Sequence, residues 1–388
     1  MKQVTRLYQR LQKPAFEQKY PGYDLRDGKI HVLFIGTYLN GTGYYRHIVP
    51  AHELNQTDSH VAIVCSLHKW DYNHQFGDSD KSPIVPELIS WADYVVLPPL
   101  FDDAQYFFTA LRDHNERMQI VMDLDQNFHC IPQEHPAYPS LNSQQKRYLL
   151  KNLAQSDIVT LATEGLYYYY ERQLQKHFPE STTYLSHIPN YLSALAYENA
   201  RPIEKNKDEA VRIGLVGGSN SSFDFSQVVS VLKSIKEQHE GKTEIIIFGW
   251  NGRIRDVAVL ENLDVTFVKS VRFTDYFEKL NSLSLDIALL PLTDQCYNTH
   301  GRSPVRYFEL SASGIPVIAS DLPPFNLVIE DEETGLLAED EQEWLSQINR
   351  LIESPELRIS LSENALKSSW YDHAYNWEKL ELLTSLYR

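Results

Sequence analysis

In the stretch NTHGRSPVRYFELSASGIPVIAS, residues 298–320, the side chains able to do chemistry are Arg302, Arg306 and Glu309. Ser303 followed by Pro304 is a helix start, with Ser as N-cap and Pro at the first helical position. Gly314 suits the residue past the end, with Pro316 beyond it. The spacing predicts a helix over about 304–313 that buries Val305, Phe308 and Ala312. Arg306 and Glu309 share the flank of that stripe, and Arg302 stands at the entrance. Two guanidiniums, a carboxylate and a helix N-terminus suit an anion carried on a polyol. Arginines and amides take phosphate oxygens, and the carboxylate accepts hydrogen bonds from vicinal hydroxyls. The same spacing equally describes a surface helix whose i,i+3 ion pair contributes about 0.2–0.5 kcal/mol. Spacing alone does not choose between them.

Three other stretches could supply polar groups. GTYLNGTGYYRH (36–47) offers Gly41 and Gly43, whose amides can approach a phosphate or sugar, and Arg46 three residues on, within reach of a diphosphate or an acidic acceptor. A plain tight turn explains the same glycines, and the spacing is not that of a dinucleotide loop. MDLDQNFH (122–129) brings Asp123, Asp125 and His129 to the end of an apolar run. These groups suit proton transfer to or from a hydroxyl, or merely cap the next turn. VGGSNSSFDF (216–225) offers the amides of Gly217 and Gly218. The fourteen histidines show no HxxxH or HExxH spacing, so no metal site is expected. There is no GxSxG elbow.

The elements that must position these groups are short apolar runs. IHVLFIG (30–36), HVAIVCS (60–66), DYVVLPP (93–99), QIVMDLD (119–125), DIVTLAT (157–163) and TYLSHIPN (183–190) form a first series. VRIGLVGG (211–218), TEIIIFG (243–249), DVTFV (264–268), LDIALLP (285–291) and IPVIAS (315–320) form a second. They are continuous rather than alternating, as strands buried on both faces are, and helix-like stretches separate most of them. The polar stretch 193–210 reads as a linker. The expectation is an α/β chain of two Rossmann-like domains facing across a cleft: residues 1–195 with an N-terminal extension at 1–28, residues 205–369, and a final helix over 370–388 crossing back to the first domain. YYYY at 167–170 reads as an aromatic helix surface without chemistry.

With 388 residues, two domains are the natural division. The net charge of −16 argues against a nucleic-acid partner. Cys65, Cys130 and Cys296 lie far apart with no pairable framework, which suits a reducing compartment. No apolar run is long enough to span a bilayer, and the N-terminus lacks a signal-peptide core. Val4, Leu7, Tyr8 and Leu11 lie at helical spacing among Lys2, Arg6, Arg10 and Lys13. Such a segment packs on its own domain or lies on an anionic membrane.

DIALLPLTDQCYNTHGRSPVRYFELSASGIPVIASD, followed by TGLL, resembles the donor-site segment of the group 1 (family-4-like) retaining glycosyltransferases with the GT-B fold. GTGYYRHIVPAHEL, VMDLDQNFHCIP, LAQSDIVTLAT and HIPN also fit that family, so the resemblance spans nearly everything after residue 28. It implies a nucleotide-diphospho-sugar donor on the C-terminal half, and on the N-terminal half a glycan, lipid-linked or protein acceptor, as in polysaccharide biosynthesis. Glu309 takes the place of the second glutamate of E-x7-E, which holds the ribose hydroxyls. Arg302 and Arg306 replace lysines; Asn298 and Ser303 line the same segment. Gly217, Gly218, Gly41, Gly43 and Arg46 would add donor contacts. Asp125, then His129 and Asp123, would orient or deprotonate the acceptor hydroxyl. No cofactor or metal is implied, and retention of configuration is. The family's first glutamate is replaced by Gly301, and its GR…KG phosphate pair is missing. Those departures leave room for a non-catalytic accessory subunit, or for a GT-B-fold sugar-nucleotide 2-epimerase. A cytoplasmic enzyme is expected, with residues 1–28 available for peripheral membrane contact.

Overall fold

The computed structural model describes residues 28–37, 39–65, 86–133, 135, 138, 141–194, 210–217, 221–250 and 263–388. The basic N-terminal segment, Gly218 and most of the expected linker lie outside them. The described residues form two compact units. One comprises residues up to His129, then Leu141–Asn190 and Tyr375–Arg388. The other comprises the described residues of 191–374, with those between 130 and 138.

Each unit holds a six-stranded parallel sheet. The N-terminal sheet contains β1 (Ile30–Ile35), β2 (His60–Cys65), β3 (Tyr94–Leu97), β4 (Gln119–Leu124), β5 (Ile158–Leu161) and β6 (Tyr184–His187), in the order β2-β1-β3-β4-β5-β6. The C-terminal sheet contains β7 (Val211–Val216), β8 (Thr243–Trp250), β9 (Val265–Lys269), β10 (Ile287–Leu290), β11 (Val317–Ser320) and β12 (Leu336–Ala338). Its order, β9-β8-β7-β10-β11-β12, is the doubly wound Rossmann order. Every apolar run picked out in the sequence is a strand here. β12 was not expected, because three residues are too few to show a period.

Parallel strands need crossovers, and the helices supply them. In the N-terminal unit, Gly41–Gly43, the π-helical turn Tyr44–Ile48 and Val49–Leu54 run on as one rod, α1. It is followed by α2 (Pro86–Trp91), α3 (Gln105–His114), α4 (Ser143–Gln155) and α5 (Glu164–His177). Asn142 starts α4 through a capping box with Gln145, and Thr163 caps α5. Phe107, Phe108 and Leu111 of α3 and Leu149, Leu150 and Leu153 of α4 close one core over the strands.

The C-terminal unit carries α6 (Val229–Gln238), α7 (Phe273–Ser282), α8 (Cys296–Gly301), α9 (Val305–Ala312), α10 (Glu341–Glu353) and α11 (Pro355–Asp372). The last helix, α12 (Trp377–Leu386), packs on α1 in the N-terminal unit. Beyond it Tyr387 is buried, its carbonyl accepting from His60 at 3.1 Å, and the Arg388 carbonyl accepts from the Tyr94 hydroxyl at 2.8 Å.

Candidate functional site

In a doubly wound sheet the chain leaves two neighbouring strands in opposite directions, which opens a crevice beyond their carboxyl ends. In the C-terminal unit those strands are β7 and β10. β7 leads into Gly217, whose N–H donates to the Phe248 carbonyl at 2.9 Å and so continues the ladder. This corrects the expectation that the Gly217 amide serves a phosphate. The glycine has another use: a Cβ there would run into Ser221. Its absence lets the turn Ser222–Phe225 fold back and carry Asp224 inward.

Asp224 is the hub of a polar cluster. Its Oδ1 accepts from the Thr293 amide at 3.0 Å and from Asn298 Nδ2 at 2.8 Å. Its Oδ2 forms an ion pair with Arg302 Nη2 at 3.0 Å. Arg302 also lies over the Tyr297 ring, 5.9 Å from its centroid. In the chain stretch that supplies these partners, Thr293 Oγ1, Gln295 Oε1, Asn298 Oδ1 and Ser303 Oγ are buried without a hydrogen-bond partner. Native interiors leave few such atoms, so four within residues 293–303 mark a polar stretch able to take a ligand.

The second cluster lies on α9. Glu309 is 3% exposed, and its Oε2 accepts from Arg306 Nη1 at 2.7 Å and from the Tyr276 hydroxyl at 3.0 Å. Arg306 also contacts the Tyr276 hydroxyl and sits 5.2 Å from the centre of its ring. Tyr276, on α7, stacks on Phe248 of β8, and burial pushes its phenol far up, so it remains a neutral donor. Both ion pairs therefore balance: Asp224 faces Arg302, and Glu309 faces Arg306.

The helix start differs from the expectation. Pro304, not Ser303, occupies the N-cap of α9, and no side chain caps it. The extended backbone of Arg302 ends α8, and the Pro304 carbonyl accepts from the Phe308 amide at 3.2 Å, while the Ser303 hydroxyl is buried without a partner. The buried face is also wider than one stripe. Val305 is only half-buried, whereas Tyr307 through Ala312 are all buried, because α9 packs against β10, β11 and α11 together.

In the N-terminal unit the polar groups gather beyond β1 and β4. α1 begins with Asn40 accepting from the Gly43 amide at 2.8 Å, so that amide is not offered to a ligand. A Cβ on Gly41 would meet nothing within 4 Å. Pro50 lacks the N–H that would bond to the Arg46 carbonyl, and its ring crowds that carbonyl. The π turn widens the helix there, with the Val49 amide donating to the Tyr44 carbonyl. Tyr44 through Ala51 are all buried.

Arg46 is thus turned inward, which corrects the expectation that it reaches a diphosphate. Its Nε donates to Asp123 Oδ2 at 2.9 Å, and its Nη1 to the Ile188 carbonyl at 2.6 Å and Asn190 Oδ1 at 3.0 Å. Burial pulls the guanidinium down, but Asp123 and Asp125 outweigh it and hold it above its ordinary value. Asp123 also accepts from Thr160 Oγ1 and is 5% exposed, a structural carboxylate rather than a proton carrier. Beside it, His47 Nδ1 meets Thr37 Oγ1 at 2.8 Å, and burial pushes its imidazole down to about 4.

Asp125 is the carboxylate of this group that retains exposure. Its Oδ2 accepts from Thr42 Oγ1 at 2.6 Å, and burial, helped by Asp123, raises it above the usual carboxylate range. His129 is different. Its Nε2 lies 2.9 Å from the Lys146 carbonyl and must donate, leaving Nδ1 to accept from the Tyr170 hydroxyl at 3.1 Å. Both ring nitrogens are engaged, so the imidazole holds α4 to α5 rather than taking a substrate proton. Its other side opens on a groove of about 1100 Å³ between α4 and α5, lined by Lys146, Arg147 and His177 among others.

The structure therefore gathers Asn298, Arg302, Ser303, Arg306 and Glu309 in one unit and Arg46, Asp123 and Asp125 in the other. Sequence reasoning missed Asp224, Thr293 and Tyr276 in the first, and Thr37, His47, Thr160 and Asn190 in the second. Thr37, Thr293 and Asn190 lie just past β1, β10 and β6, where a ligand crevice is expected; His47, Thr160, Asp224 and Tyr276 lie within α1, β5, the turn Ser222–Phe225 and α7, where no spacing marks them. Among the described residues no three His, Cys, Asp or Glu side chains gather as a metal site.

Two α/β units, each built on a six-stranded parallel sheet, are the architecture of the GT-B fold. Residues 210–354 match the family Glycosyl transferases group 1. Sucrose-phosphate synthase from Thermosynechococcus elongatus superposes with a TM-score of 0.62 at 14% identity, over 92% of this chain and 98% of that one. Anabaena HepE, solved in complex with UDP, gives 0.58 at 12% identity over 92% and 98%. A mutant of S. aureus TarM, solved with Fondaparinux, alpha-GlcNAc-glycerol and UDP, gives 0.54 at 15% identity over 79% of this chain and 59% of that one. No curated protein matches the chain in sequence. The sequence match covers residues 210–354, and the likeness to these structures is one of fold, GT-B.

Proposed function

We propose that the chain transfers a sugar from a nucleotide-diphospho-sugar to a glycan, lipid-linked or protein acceptor. The reading is carried by one observation: Asn298 and Arg302 hold Asp224 beyond β7 and β10, and four polar atoms of residues 293–303 are buried and unpaired, inside the matched domain. A sugar diphosphate has the donors and acceptors to satisfy them. Glu309, held by Arg306 and Tyr276, receives the ribose hydroxyls. Arg302 and Arg306 stabilise the charge that develops on the leaving diphosphate, without metal. Asp125, with its carboxyl raised, takes the acceptor proton. UDP is the first nucleotide to try, because HepE and TarM were solved with it. Transfer with retention of configuration belongs to the same proposal, as does a cytoplasmic enzyme touching a membrane through residues 1–28. Among the described residues no helix is long and apolar enough to cross a membrane.

Calorimetric titration with UDP, GDP, dTDP and CMP, with and without Mn²⁺, tests the donor site. One diphosphate should bind without metal to the wild type and lose affinity in Arg306→Ala and Glu309→Gln. A wild-type protein that binds none of them sinks the reading and moves an accessory subunit forward. Gly301, which has no carboxylate to offer a sugar, and the engaged Gly217 amide are the observations that favour that second reading.

A further inference from the structure

Two of the three cysteines, 166 residues apart in the chain, meet inside the C-terminal unit. Cys130 Sγ lies 2.6 Å from Cys296 Sγ, well inside the contact distance of two unbonded sulfurs. This overturns the expectation that no two cysteines can pair. Sequence separation hid the meeting, since Cys130 follows β4 and Cys296 is the first residue of α8. A second contact makes the approach a feature of the two segments rather than of two side chains. The His135 ring packs 4.7 Å from the Tyr297 ring and 5.7 Å from Phe223. Both cysteines are half-buried, so a small oxidant can reach them. One turn along α8, His300 Nδ1 stands 3.8 Å from Cys296 Sγ, placed to receive its proton as the thiolate forms.

We propose that Cys130 and Cys296 are a reversible disulfide site that clamps the start of α8. With glutathione disulfide as oxidant, the Cys296 thiolate attacks one of its sulfurs and expels one glutathione thiolate. Cys130 then attacks the mixed disulfide at the Cys296 sulfur and expels the second. Two protein thiols are oxidised, their two protons pass to the two expelled glutathione thiolates, and one glutathione disulfide becomes two glutathione molecules. The clamp acts on a functional element. α8 carries Asn298, which holds Asp224, and ends at Arg302, so fixing Cys296 restrains the polar cluster from its near end.

The test is equilibration of the full chain with glutathione disulfide, followed by non-reducing peptide mapping and hydrogen–deuterium exchange. Two of the three thiols should be lost, leaving Cys65 free, with one intramolecular Cys130–Cys296 peptide. Exchange over 296–302 should slow, recover with dithiothreitol, and stay unchanged in C130S and C296S. Three free thiols after oxidation, a cross-link between other cysteines, or exchange indifferent to oxidation would each overturn the proposal. None of these readouts requires a bound nucleotide, so a failed donor titration leaves the test intact.

Discussion

Asp125 and Asp123 stand two residues apart, yet burial separates their roles. Asp123 sits under Arg46 and Thr160, whereas Asp125 is partly exposed and raised by burial. A carboxyl raised in the folded state binds more protons there than in the unfolded chain. It therefore contributes stability below the ordinary carboxylate value, and that contribution is lost as pH rises through the folded value. At neutral pH the charged Asp125 is a cost to the fold. Asp125→Asn keeps an acceptor for Thr42 and removes that cost. We expect it to raise the midpoint of thermal unfolding at neutral pH while sugar transfer falls by about 10²-fold or more, the loss of a general base. Unchanged turnover in a well-folded Asp125→Asn protein would remove Asp125 from the chemistry. The pairing of Arg306 with Glu309 was legible because helical spacing brings residues three apart together. Their partners were not. Asp224 and Tyr276 reach the site from other elements, and a lone Asp or Tyr carries no spacing to read.

At the scale of elements, the strands were legible and α1 was not. β1, β4 and β7 are continuous apolar runs because parallel strands are covered on both faces, and such runs survive any change of loop. In α1, GTGYYRHIVPAHEL shows glycines, a basic residue and a proline, which suggest a loop offering amides and a cation. The fold uses the same residues to bury a guanidinium. Pro50 forces the wide turn, and the Asp123 carboxylate with the Ile188 carbonyl and Asn190 receives Arg46 from β4 and the chain beyond β6. Nothing local announces partners 77 and 144 residues away. Removing one member of such a pair leaves the other charge buried. Arg46→Ala should destabilise the N-terminal unit by about 3–5 kcal/mol, measured by urea denaturation. Arg46→Lys should fall between, since an ammonium cannot reproduce the fork to Asp123. The double variant Arg46→Met/Asp123→Leu should recover part of the loss. If Arg46→Ala costs less than about 1 kcal/mol, the pair is not what joins α1 to β4.

At the scale of the whole molecule, the two units should answer acid differently. His47, His60, His129 and His187 all belong to the N-terminal unit, and burial pushes each imidazole down. A histidine held below its ordinary value is neutral in the fold, while the unfolded chain takes up the proton near pH 6.5. Between that value and the folded one the unfolded state binds more protons, so stability falls as pH falls. His47 is the strongest case because its imidazole faces Arg46 as well as the carboxylate of Asp123 and is only 3% exposed. With its folded value at about 4, it accounts for about 3 kcal/mol, lost between about pH 6.5 and pH 4. Two units need not unfold together, so a single melting curve would blur them. Hydrogen–deuterium exchange resolves them. From about pH 7 to pH 4.5, after correction for intrinsic exchange, protection of β1 and α1 should drop well before that of β7 and β10. His47→Gln keeps an acceptor for Thr37 but cannot be protonated, so it should flatten the decline in the N-terminal unit alone. Equal acid sensitivity in both units, or an unchanged slope in His47→Gln, would show that the buried imidazoles do not control it.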